Sequence, residues 1–131
     1  MTLPDQSLTV APPEAFGPFR LEEEQLGRSG LLLTVSGELD MDTEPQLRAR
    51  LDEAIGAGVT DLAIDLRPVG FLDSIALATM LHARRELGDE GRMAIVIASD
   101  SYAQLIFEVA GRPQCLDLFE TREAAVAHVA G

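Results

Sequence analysis

The chain has 131 residues, so one domain is expected, large enough to remove roughly two-thirds of its unfolded surface from water. Hydrophobic residues make up 47%, aromatics only 5%, and tryptophan is absent, which predicts an aliphatic core. Ten basic against 22 acidic residues give a formal charge of -12, which repels nucleic acid and anionic lipid and favours partners with basic patches. The single cysteine, Cys115, excludes an internal disulfide and a cysteine metal cluster, and it reads as a small buried hydrophobe. No stretch has the pattern of a signal peptide or the length of a membrane span, so a soluble, cytoplasmic protein without direct membrane insertion is expected.

In chain order, residues 1–18 hold four prolines and no periodicity and are expected to be a flexible leader; residues 19–131 are the expected domain. Phe19 to Gln25 predicts an edge strand, and Gly27 to Gly30 a hairpin-like turn into the apolar run Leu31 to Val35. Gly37-Glu38-Leu39-Asp40 leads out of that strand towards a helix over 43–57, with Leu47, Leu51, Ala54 and Ile55 on one face. Thr43 and Gln46 have the spacing of a capping box, and Pro45 sits in the first turn, where it is tolerated.

Residues 60–66 predict a buried strand interrupted by Asp65. Pro68 and Gly70 break the run, and a helix over 74–88 follows, with Leu77, Leu81, Arg84 and Leu87 on one line. A strand over Met93–Ala98, a helix over Tyr102–Ala110, a short strand over Leu116–Phe119 and a helix over Thr121–Val129 complete the pattern. Alternation of this kind predicts an α/β fold: a mixed sheet with an antiparallel N-terminal hairpin, parallel strands joined by crossovers, and about four helices packed on it.

Phe71-Leu72-Asp73-Ser74 places a hydroxyl at the first turn of a helix, where free N–H groups and the helix dipole tolerate an added phosphate. Ser74 is thus a helix cap, a phosphoacceptor or a nucleophile. Asp40 and Asp42 follow the preceding strand, and in a parallel arrangement their loop and that of Asp73 emerge at one end of the sheet, forming an acidic rim around the hydroxyl. The plainer reading is that Asp42 starts a helical turn and Asp40 is only solvated.

A Ser-His-Asp hydrolase is disfavoured. His82 lies about 12 Å along the helix from Ser74, His128 sits in the last helix, and no Gly-x-Ser-x-Gly elbow surrounds the serine. No metal-ligand spacing or phosphate-binding glycine loop is present, so neither metal nor cofactor is implied and the chain is not expected to be an enzyme. Glu22 to Glu24 reads as a solvated face.

On the residues Gly37-Glu38-Leu39-Asp40, Asp61 to Leu66 and Phe71 to Ser74, the chain resembles the STAS domain family, specifically the anti-sigma factor antagonists, over about residues 19–129. The resemblance implies a STAS-type sheet and phosphorylation at Ser74, with Asp40 and Asp73 matching the family's acidic positions. It further implies that the unphosphorylated form binds a cytoplasmic anti-sigma serine kinase and frees a sigma factor. Phosphorylation by that kinase ends the binding and a serine phosphatase restores it. Ile75 and Ala76 depart from the family, which commonly has Ser or Thr and then Gly after the phosphorylated serine. The candidate partner-binding residues are Asp40, Asp42, Leu72, Asp73, Ile75 and Ala76, with Leu72, Ile75 and Leu77 offering apolar surface to a partner, although plain core packing is the simpler expectation for Leu77. The alternative implied by the resemblance is a constitutive STAS scaffold in a larger signalling or transport complex.

Overall fold

The computed structural model describes residues 17–110 and 116–130. Ten elements follow in the order β1 (Arg20–Leu26), β2 (Gly30–Leu39), α1 (Glu44–Gly56), β3 (Asp61–Asp65), β4 (Val69–Leu72), α2 (Ser74–Leu87), β5 (Arg92–Val96), α3 (Tyr102–Val109), β6 (Asp117–Phe119) and α4 (Arg122–Ala130). The main sheet runs β1-β2-β3-β5-β6, antiparallel between β1 and β2 and parallel elsewhere, and β4 pairs separately with β2. This is the expected mixed α/β sheet with four helices. The leader falls largely on residues 1–16 and Cys115 on 111–115, both outside the described residues.

Strict alternation along the strands divides the core between two faces. Leu31, Leu33 and Val35 of β2, Leu62 and Ile64 of β3, and Met93 and Ile95 of β5 share one core with Leu47 and Leu51 of α1, Met80 of α2 and Phe107 of α3. Their interleaved neighbours Leu32, Ala63, Ala94 and Val96 pack on Ala125 and Val129 of α4. Small residues at Ala63 and Ala94 let the single helix α4 approach that face closely.

Three local expectations are corrected. Val69–Leu72, expected to be only a turn, is a strand: β2 continues to Leu39 and bends at a bulge between Gly37 and Glu38, where it leaves β3 and takes β4 as its parallel partner. Gly37 permits this, because it has φ +91° and a Cβ there would lie 2.7 Å from the Phe19 Cα. The Thr43–Gln46 capping box does not form, since the Thr43 hydroxyl donates to the Glu38 carbonyl oxygen at 2.7 Å instead of capping α1. In α2 the inward face is Ala76, Leu77, Thr79, Met80 and Ala83, while Leu81, Arg84 and Leu87 are only half-buried. The small Ala76 and Ala83 give this face the closer approach to its neighbours.

Candidate functional site

Strands β2 and β4 end side by side, with Leu39 opposite Leu72, so Asp40 and Asp73 leave the sheet at the same end. The Asp73 N–H donates to the Leu39 carbonyl oxygen at 3.3 Å, which ties the two exits together. The sheet therefore brings together the acidic loop and the serine that lie over 30 positions apart in the chain.

Each loop is held by its own aspartate. The Asp73 carboxylate accepts from the N–H groups of Ile75 at 3.1 Å and Ala76 at 3.4 Å, capping α2 in extended backbone geometry. That assigns the capping role to Asp73. Ser74 is exposed and takes no part in the cap, so its hydroxyl remains available to another molecule. Asp40 is not merely solvated: its Oδ1 accepts from the N–H groups of Asp42 at 2.9 Å and Thr43 at 3.1 Å. Its own N–H donates to the Thr43 hydroxyl at 3.0 Å, closing the loop on itself. Asp42 is exposed at the rim.

Not every candidate faces outward. Ile75 is 41% exposed beside Ser74, whereas Leu72 and Ala76 are 1% and 0% exposed and belong to the core. Leu72 and Ala76 are therefore corrected from contact residues to packing residues, because the pleat of β4 and the inward face of α2 turn their side chains under the site. Leu77, for which core packing was the plainer expectation, is buried in the same core. The core accommodates the Ala76 methyl group, and Ile75 is the apolar side chain left exposed beside Ser74.

The sequence left two supporting groups unmarked. Glu44, in the first turn of α1, is 3% exposed; its carboxylate accepts from the Thr79 hydroxyl of α2 and from Arg48 at 3.1 Å. This buried contact fixes the start of α1 against α2, hence the Asp40 loop against Ser74. An acidic residue in a first helical turn ordinarily reads as a solvated dipole partner, so only the packing reveals it. Asp65 is fully buried, with Arg67 and Arg122 on its carboxylate at 2.8 and 2.9 Å. Burial pushes its pKa up, but hydrogen bonds from the Arg67 side chain and backbone and from Arg122 outweigh burial and hold the carboxyl below its ordinary range.

The histidines serve elsewhere: His82 Nε2 lies 3.9 Å from Asp52 of α1, and His128 lies 3.0 Å from Asp117. Among the described residues no group of three or more His, Cys, Asp or Glu side chains is placed to hold a metal ion. No helix among them is long and apolar enough to cross a membrane.

The ends of β2 and β4 thus bring the acidic loop and the exposed helix-start Ser74 to one end of a mixed sheet. The STAS domain model matches residues 21–125, and the chain belongs to the STAS domain family. Among proteins of known role it is similar to the anti-sigma-F factor antagonist RsfB of Mycobacterium tuberculosis, 28% identical over 76% of this chain and 81% of the relative. Among solved structures it is similar to an anti-sigma factor antagonist from Mycobacterium paratuberculosis, with a TM-score of 0.79 and 25% identity over 92% of this chain and 98% of that one. It is also similar to the anti-sigma factor antagonist SpoIIAA in its unphosphorylated form, with a TM-score of 0.72 and 26% identity over 86% of this chain and 97% of the other. The Bacillus SpoIIAA has also been solved in a phosphorylated form, to which this chain aligns with a TM-score of 0.65, covering 84% of this chain and 99% of that one, at 26% identity.

Proposed function

We propose that this protein is an anti-sigma factor antagonist of the cytoplasm: unphosphorylated, it binds an anti-sigma serine kinase, which then releases its sigma factor. Phosphorylation of Ser74 ends the binding and a serine phosphatase restores it. The observation that carries this reading is the exposed Ser74 hydroxyl at the start of α2, left out of the cap because Asp73 makes it. The relatives named above as anti-sigma factor antagonists support the same role.

In the transfer step Ser74 Oγ forms a bond to the terminal phosphorus of ATP held by the kinase, its proton passes to a kinase base, and ADP leaves with the bridging oxygen. The product carries about -1.5 to -2 added charge at a helix start, where the dipole and free N–H groups accommodate it, so the fold survives. The partner surface does not: a bulky dianion beside Asp40 and Asp73 must be desolvated to regain close contact.

The test is to incubate the purified protein with each anti-sigma serine kinase of its source organism and ATP, locating phosphate by mass spectrometry with Ser74→Ala as control. Phosphate is expected on Ser74, and Ser74→Asp is expected to weaken binding more than tenfold with an unchanged circular dichroism spectrum. Ser74→Asp binding as tightly as the wild type, or no binding by any kinase of the set, would overturn the reading in favour of a constitutive scaffold.

A further inference from the structure

Helix α3 is apolar on both sides. Ala103 and Phe107 face the core, yet Tyr102, Leu105 and Val109 are 40%, 54% and 78% exposed, at the i, i+3, i+7 spacing of one helix face. A face of this kind on an otherwise polar, acidic protein marks a contact surface. The stripe is continuous with the Ser74 site: the Tyr102 ring stacks on Phe71 at 5.1 Å between centroids, and Phe71 lies in β4, three residues before Ser74. Because α3 connects the parallel strands β5 and β6, it must run back from this end of the sheet to the other. Tyr102 thus adjoins the switch, and Val109 lies about 10 Å further along the axis.

We infer that Tyr102, Leu105 and Val109 form a second docking surface for the same protein partner, adding affinity and partner choice at a distance from the phosphorylated hydroxyl. The inference rests on the function proposed above and names residues beyond that site. The occupant is the anti-sigma kinase for two reasons. The stripe continues the surface that carries Ser74, Ile75 and Asp73. Its borders are also acidic, with exposed Asp100 and Glu108 beside it, so it suits the basic-rimmed, apolar-centred surface that Asp40, Asp42 and Asp73 also suit. Since Leu105 and Val109 are remote from Ser74, their contacts bind the ground state and the transition state of phosphoryl transfer alike. Losing them raises KM for Ser74 phosphorylation and leaves kcat in place.

The experiment uses the full chain and the anti-sigma kinase that phosphorylates Ser74, comparing Leu105→Asp, Val109→Asp and, on the opposite face of the sheet, the exposed α4 control Ala127→Asp. The solvent-facing variants are expected to keep the wild-type melting temperature. Leu105→Asp and Val109→Asp should each weaken kinase binding at least about tenfold and raise KM to match with kcat unchanged, while Ala127→Asp behaves as wild type. Unaltered affinity and KM in both α3 variants, with binding still lost in Ser74→Asp, would overturn the α3 inference and leave the proposed function standing. A wild-type dimer that Leu105→Asp dissociates, or tighter kinase binding after removal of residues 1–16, would assign the stripe to a second copy or to the chain's own leader and overturn it too. Failure of every kinase to bind the wild type would remove the proposed function first and this inference with it.

Discussion

Asp65→Asn tests whether the fold depends on a charge placed inside the sheet. In the wild type the fully buried carboxylate accepts from the Arg67 N–H at 3.0 Å, Arg67 Nη2 at 2.8 Å and Arg122 Nη2 at 2.9 Å, and Arg122 also donates to the Thr34 hydroxyl at 3.2 Å. These bonds join β2, β3 and the start of α4. Asparagine keeps the shape but removes the charge and turns one acceptor into a donor facing guanidinium N–H groups. Removing one partner of a buried pair costs about 3–5 kcal/mol. Both guanidinium groups are more than a third exposed and regain water, so about 2–3 kcal/mol is expected, or a melting temperature lower by about 8–12 °C. The pH dependence has a definite sign. Asp65 has a depressed folded pKa, so its contribution is complete above the unfolded carboxyl value of about 3.9 and disappears as pH falls through the lower folded value. Urea unfolding followed by circular dichroism at pH 7 and at steps down towards pH 2 measures both effects. A variant within about 0.5 kcal/mol of wild type at pH 7, or a difference that stays constant as the carboxylate protonates, would refute the reasoning.

Asp73→Ala removes the acceptor for the Ile75 and Ala76 N–H groups and should cost about 1 kcal/mol, whereas Asp73→Asn keeps the cap and should match wild-type stability in the same unfolding assay. Equal losses in both would show that the charge, not the cap, is what α2 needs. Gly37→Ala adds a Cβ at φ +91° within 2.8 Å of the Phe19 nitrogen, so strain and overlap together should cost about 3 kcal/mol or more. A urea midpoint close to that of wild type would mean that the Pro18–Phe19 crossing is not packed on the bulge.

The order and type of most elements were legible in the sequence because they rest on local periodicity and turn residues. The apolar run of β2, the branched run of β5 and the glycines near the end of α1 act within a few positions of themselves. The strand-to-helix junctions that carry Asp40, Asp73 and Ser74 were legible for the same reason, but which residue caps α2 stayed open in the sequence, and the structure assigns that cap to Asp73. Tertiary structure alone decided what depends on distant partners. β4 is too short to declare itself, and it is a strand only because the bulge at Gly37 frees the second half of β2 to pair with it. Leu72, Ala76 and Leu77 lie beside an exposed serine in the chain yet under it in space, since burial is set by which neighbours arrive and not by adjacency. Likewise Asp65 in an apolar strand and Glu44 at a helix start look like an interruption and a solvated charge until Arg67, Arg122 and Thr79 are brought to them. A local pattern records a residue's own preference; the pairing of buried polar groups is a property of the closed fold.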